Sequence, residues 1–272
     1  MKLVGSILYC GGALAFFAFI AGCHPTLAEA KTGRVVTTAE LAVRQKLEQQ
    51  SNLVREAQAA AQNQNYTLAE AKYSQAMSLI PNNPNVRRDM AIMYETWNKP
   101  EKAYTQWKEI GLSKMPGDPG AKSFASFQTE PWLYVKCAEM AAKYGTPDEE
   151  SVFLTKGCKV AGHQYDGFAK VPEPVPGSKV SLRQTLRLYA AMQQSVQQGD
   201  QAALPNFLAA ADLDPENAAA WALAAQSAET VGRTDDARKY LKKAEEAKRT
   251  TPELKSLIAR EKHDLDPRGI HQ

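Results

Sequence analysis

Residues 218–251 read AAAWALAAQSAETVGRTDDARKYLKKAEEAKRTT, and this stretch decides the fold. Trp221, Ala224, Ala225 and Ala228 recur at helical spacing, Gly232 interrupts them, and Ala237, Leu241 and Ala244 resume the spacing beyond it. Alanines let two helices cross closely while the aromatic fills the next layer, so the stretch is a helix hairpin. Downstream, Pro252 to Asp264 reads as a terminal helix with Leu254, Leu257 and Ile258 turned inward over the hairpin's apolar edge. Upstream, Gln184 to Asn217 carries the same pattern in Ala190, Ala191, Ala203, Phe207, Ala210 and Asp214-Pro215.

The pattern returns in the N-terminal half. Gln50 to Asn83 holds Leu53, Ala57, Ala60, Ala69, Tyr73, Ala76 and Pro81. Pro84 to Gly117 holds Met90, Ala91, Tyr94, Ala103, Trp107 and Ile110, with Asn98-Lys99-Pro100-Glu101 between its helices. One such unit could arise by chance in an Ala-rich chain; two adjacent pairs at one period of about 34 residues do not. The units resemble tetratricopeptide repeats. That resemblance implies an all-α helix-hairpin solenoid whose first helices line a concave face able to hold a protein or peptide. Carried onto this sequence, the family's groove positions fall on Val54, Gln58, Arg88, Ile92, Glu95, Leu188, Met192 and Gln226. Ile92 and Met192 stand where carboxylate-binding members have polar residues, which argues against a free C-terminus as ligand.

Ahead of the first pair, Thr37-Thr38-Ala39-Glu40 offers a capping box, and Leu41, Val43, Leu47, Leu53 and Val54 thread the polar run after it. The N-terminal pair with its leading helix is therefore expected over 38–117 and the C-terminal pair over 181–251, capped by 252–264. The interval from Pro81 to Pro215 is close to four periods, leaving room for two units. Residues 118–161 supply one divergent hairpin: Trp132, Val135, Ala138, Met140 and Ala141, a Gly145-Thr146 turn, then Val152, Phe153 and Leu154. Residues 162–180, with Pro172, Pro174, Pro176 and Gly177, read as a loop or linker that divides the body in two.

At the N-terminus, Leu3 to Gly22 contains no charged residue, the mark of a membrane-directing segment. Its end, Ile20-Ala21-Gly22-Cys23, resembles the lipobox of bacterial lipoproteins. The resemblance implies a signal peptide over 1–22, lipidation (thioether-linked diacylglycerol and an N-acyl chain such as palmitate) at Cys23, and a tether over 23–37. His24 in place of Asp implies no inner-membrane retention, hence the periplasmic face of the outer membrane in a Gram-negative host. Cleavage after Ala28-Glu29-Ala30 into a secreted soluble form and retention as an uncleaved anchor are the alternatives.

The net charge of +3 gives no field suited to nucleic acid. Cys137 and Cys158 lie on opposite helices of the middle hairpin, either as a disulfide or as two buried free thiols. Catalytic signatures are missing. Pro116 to Ser123 lacks both glycines of a phosphate loop, no H-E-x-x-H, C-x-x-C or G-x-S-x-G occurs, and the four histidines are scattered. His163 with Asp166 is a solvated loop pair sooner than a catalytic one, and Asn65-Tyr66-Thr67 is an incidental sequon. No cofactor or metal is expected. The reading is a non-enzymatic, lipid-anchored scaffold in the cell envelope that binds a protein or peptide, by analogy in assembly of outer-membrane machinery; a structural protein whose copies stack into homo-oligomers is the alternative.

Overall fold

The computed structural model describes residues 37–114, 126–165 and 171–265. The chain divides into two units, Met1–Gln45 and Lys46–Gln272. Of the first, residues 37–45 are described: Thr37 and Glu40 form a capping box, the Thr37 amide donating to Glu40 Oε2 at 2.8 Å and the Glu40 amide to Thr37 Oγ1 at 3.2 Å. The signal segment, the lipobox with Cys23, the residues of the tether before Thr37, the Pro116–Ser123 stretch, the His163 side chain and Asp166 lie outside the described residues.

The second unit is a stack of helix hairpins. From Lys46 onward helix α1 (Thr38–Gln62) pairs with α2 (Tyr66–Leu79), then α3 (Pro84–Thr96) with α4 (Pro100–Leu112), and α5 (Pro131–Tyr144) with α6 (Pro147–Tyr165). Then α7 (Lys179–Gln198) pairs with α8 (Asp200–Leu213) and α9 (Ala218–Thr230) with α10 (Thr234–Glu246); α11 (Pro252–Leu265) closes the series. A short 3-10 turn, Ser126–Thr129, precedes α5.

Three of the turns share one geometry. Gln64, Asn98 and Gly232 adopt φ of 59°, 56° and 80°, and the next amide reaches back to the carbonyl five residues earlier. Those bonds are Asn65 to Ala60 at 2.8 Å, Lys99 to Tyr94 at 2.8 Å, and Arg233 to Ala228 at 2.7 Å. A left-handed residue here satisfies an otherwise orphaned carbonyl and reverses the chain. The α5/α6 turn departs from this: Gly145 has negative φ, and Thr146 with Glu149 forms a capping box instead.

Most of the alanines named from the pattern fill the crossings: Ala57, Ala69, Ala76, Ala91, Ala103, Ala203, Ala210, Ala224 and Ala237 are all fully buried, while Ala190 is half-buried. They fall into two clusters. The first runs from Ala57 to Leu154 and includes Leu186; the second takes in Ala161 and Leu188 through Leu265. Helix α7 therefore feeds both cores.

Its placement differs from the other helices that open a hairpin. The short connection Asp214–Asn217 sends α9 back along α8, but α7 runs beside α6 in the same sense. Lys179 Nζ donates to the Pro147 carbonyl at 2.9 Å and Arg183 to Glu150, at the start of both helices. Tyr189 Oη lies 3.8 Å from the Cβ position of Gly162, farther along both. Contact is tight: a Cβ on Gly157 would stand 2.5 Å from Tyr134 Cβ and 2.8 Å from Leu186 Cδ1.

The Pro-rich stretch makes this reversal possible, and it differs from expectation in two ways. Helix α6 continues through Gly162 to Tyr165, because no proline arrives until Pro172. Residues 171–178 then form irregular chain packed on the body: Pro172 is buried and Val171 packs against the second core. Arg249 fixes the stretch, donating to the Glu173 carbonyl at 3.4 Å and to Ser181 Oγ at 3.3 Å, while Ser181 Oγ also accepts from the Val175 amide at 3.0 Å. It is a strap within one unit, not a division of the body.

Candidate interaction groove

Polar bridges join several of the hairpin-opening helices to the next, and α9 to the closing helix α11. From α1 to α3, Gln58 Nε2 donates to Asp89 Oδ2 at 2.9 Å. From α3 to α5, Lys136 Nζ donates to Glu95 Oε2 at 2.9 Å, and Glu95 Oε1 also accepts from Trp107 Nε1 at 2.6 Å. From α5 to α7, Arg187 pairs with Glu139. From α9 to α11, Gln226 Nε2 donates to Glu261 Oε1 at 2.9 Å. Charges along this face are thus spent largely on one another.

The positions named from the repeat pattern separate into two groups. Gln58, Glu95 and Gln226 are bridge members, and Val54 packs against the first core. Arg88 lies with its guanidinium 4.8 Å from the centroid of Phe127, in the turn before α5, and Phe127 stacks on Trp132 at 6.5 Å. Ile92 is 49% exposed in the middle of α3. Leu188 and Met192 are corrections: they are 0% and 4% exposed and belong to the second core with Ala161 of α6. Because α7 runs alongside α6, the side that the pattern assigns to a groove is turned inward.

The pattern missed Asp89, Lys136, Glu139 and Arg187. The available signal was opposite charge or amide-carboxylate pairing on successive first helices, visible once those helices are aligned. Burial raises the Asp89 carboxyl above its ordinary range, opposed by Arg88 and by the Gln58 amide.

Of the two readings of Cys137 and Cys158, the disulfide is not made. Both cysteines are free: Cys137 Sγ donates to the Trp107 carbonyl of α4 at 3.3 Å, and Cys158 Sγ to the Leu182 carbonyl of α7 at 3.4 Å. The two thiols leave opposite sides of the hairpin, and burial pushes each up to about 12.

A cavity of 410 Å³ opens between α5 and α7, with Leu154 of α6 and Leu213 of α8 beneath. Among the described residues no group of His, Cys, Asp and Glu could hold a metal ion, and no helix is long and apolar enough to cross a membrane.

Residues 197–261 match the tetratricopeptide repeat family model. No curated protein matches the chain in sequence. Among solved structures, the chain is similar to the MamA protein, at 14% identity, covering 74% of this chain and 92% of that one with a TM-score of 0.36. It is similar to Pseudomonas aeruginosa PilF at 10% identity, covering 84% and 95% with a TM-score of 0.33. A third is YrrB, described as a TPR protein with an unusual peptide-binding site, at 15% identity, covering 83% and 98% with a TM-score of 0.35.

Proposed function

We propose that this chain is a scaffold of the cell envelope, anchored by lipid at Cys23 and holding a partner protein or peptide along its hairpin-opening helices. The observation that carries the binding role is Ile92, a half-exposed apolar side chain framed by the Gln58–Asp89 and Glu95–Lys136 bridges. Polar groups already satisfied around an open apolar centre lower the desolvation cost of a partner seated there. The anchor rests on Leu3 to Gly22 and Ile20-Ala21-Gly22-Cys23 in the sequence. A role in assembling outer-membrane machinery is the corresponding client reading.

The test is made on the full chain in its host. Native protein is expected to partition into detergent and label with fatty acid, and Cys23→Ala to accumulate as precursor; a mature N-terminus at Lys31 would overturn the anchor. Affinity capture should lose proteins from the Ile92→Asp chain that the parent retains, with circular dichroism unchanged. Identical captures would remove α3 from the binding surface.

A further inference from the structure

The crossover that turns α7 beside α6 also leaves the cavity between α5 and α7 open, and its chemistry is lopsided. Ala138, Leu154, Leu186 and Leu213 give it an apolar floor, and its 410 Å³ lies within the roughly 300–1,000 Å³ of ligand clefts. Two carboxylates and three cations stand around that floor. Glu150 is 5% exposed and committed, accepting from Arg183 Nε at 2.7 Å and lying 3.6 Å from Lys179 Nζ. Glu139 and Arg187 pair across the mouth with side chains 48% and 37% exposed, an arrangement that holds weakly in solvent. Lys143 lines the same cavity, is exposed, and makes no ion pair among the described residues.

We propose that this cleft receives an acidic segment of a partner chain, an apolar side chain entering the cavity while a neighbouring carboxylate displaces Glu139 from Arg187 and reaches Lys143. The proposal rests on the scaffold reading and names the partner's chemistry. A basic segment would find one available carboxylate, Glu139, and meet Lys143 and Arg187; Glu150 is already neutralised behind them. Like charges at a partly desolvated rim are repelled, so the rim selects for acid. Glu139 acts as an internal stand-in for the ligand carboxylate, which makes it a gate: its removal frees Arg187 for the partner.

The test uses the full chain in detergent on an array of immobilised dodecapeptides, each with a central Leu, Met or Phe flanked by Glu, Gln or Lys. Retention on the Glu series is expected to exceed the Lys series at least tenfold and to fall with added salt. Arg187→Ala and Lys143→Glu should each lose about tenfold of that retention, while Glu139→Gln should gain several-fold. Retention indifferent to flanking charge, or to the substitutions at 143, 187 and 139, would overturn the cleft. Acidic binding lost with Ile92→Asp alone would move the site to α3 and leave the scaffold reading intact. An array that retains nothing would also overturn the cleft, and the capture experiment above would judge the scaffold separately.

Discussion

The side-chain amide of Asn83 donates to Gln50 Oε1 at 2.7 Å, and Asn217 donates to Gln184 Oε1 at 2.9 Å. In both pairs the asparagine is also the N-cap of the next hairpin's first helix, its Oδ1 accepting at 3.0 Å from the amide two residues on, Asn85 or Ala219. Gln50 completes the clamp by donating to the Ala76 and Ile80 carbonyls at the end of α2. One residue thus starts a helix and locks it to the hairpin before it. Gln184 Nε2 has no partner among the described residues, so the second clamp depends more heavily on Asn217.

Asn217→Ala should therefore cost about 2 kcal/mol, combining a lost cap with a buried Gln184 oxygen left unsatisfied. Asn83→Ala loses the same kind of cap and the donor to Gln50 Oε1, but that bond is only partly buried and Gln50 stays anchored to α2 through Nε2, so it should cost about 1 kcal/mol. Urea unfolding of the two variants checks the order; equal losses would show that the second clamp carries no extra weight.

Gly157→Ala should destabilise the chain by about 1–3 kcal/mol, because the new methyl meets Tyr134 Cβ, an atom fixed to the backbone, at 2.5 Å. Gly162→Ala in the same helix meets only Tyr189 Oη at 3.8 Å and should be neutral or stabilising by up to about 1 kcal/mol. The pair separates tight packing against α7 from helix propensity, and thermal unfolding measures both.

The thiols should behave as isolated and inert. Mass spectrometry of the peptides carrying Cys137 and Cys158 is expected to show slow alkylation in the native chain and complete alkylation in denaturant, both without reductant. Buried thiols held near 12 carry little thiolate at neutral pH. A peptide pair joined until reduction would contradict the geometry.

Acid sensitivity should be traceable to Glu149. Lys108 bonds its carboxylate, Tyr104 Oη donates to it at 2.6 Å and the Thr146 amide at 3.0 Å, holding it down at about 2. The depressed value means this group stabilises the fold above the unfolded carboxyl's pKa of about 4.3, and loses that contribution as pH falls towards 2. Glu149→Gln should lower stability at pH 7 and flatten the loss between pH 4.5 and 2. An unchanged acid profile would place the sensitivity elsewhere.

The hairpins were legible in the sequence because what specifies them is local. Alanines at the crossings, Asn98 and Gly232 in the left-handed turn positions, and prolines after second helices all act within one or two turns of chain. Gln64 takes the same left-handed geometry with no residue-type signal, since the flanking helices impose it. The direction of α7 was not legible. It follows a connection with no helix of its own, and is decided by Leu186 seating against Gly157, by Arg183 on buried Glu150, and by Arg249 holding the strap. Those partners lie far apart in sequence, and the repeat period is silent about them. So the pattern assigned Leu188 and Met192 to a groove, while only the packing of α7 on α6 determined that they face a core and that the open cleft lies between α5 and α7.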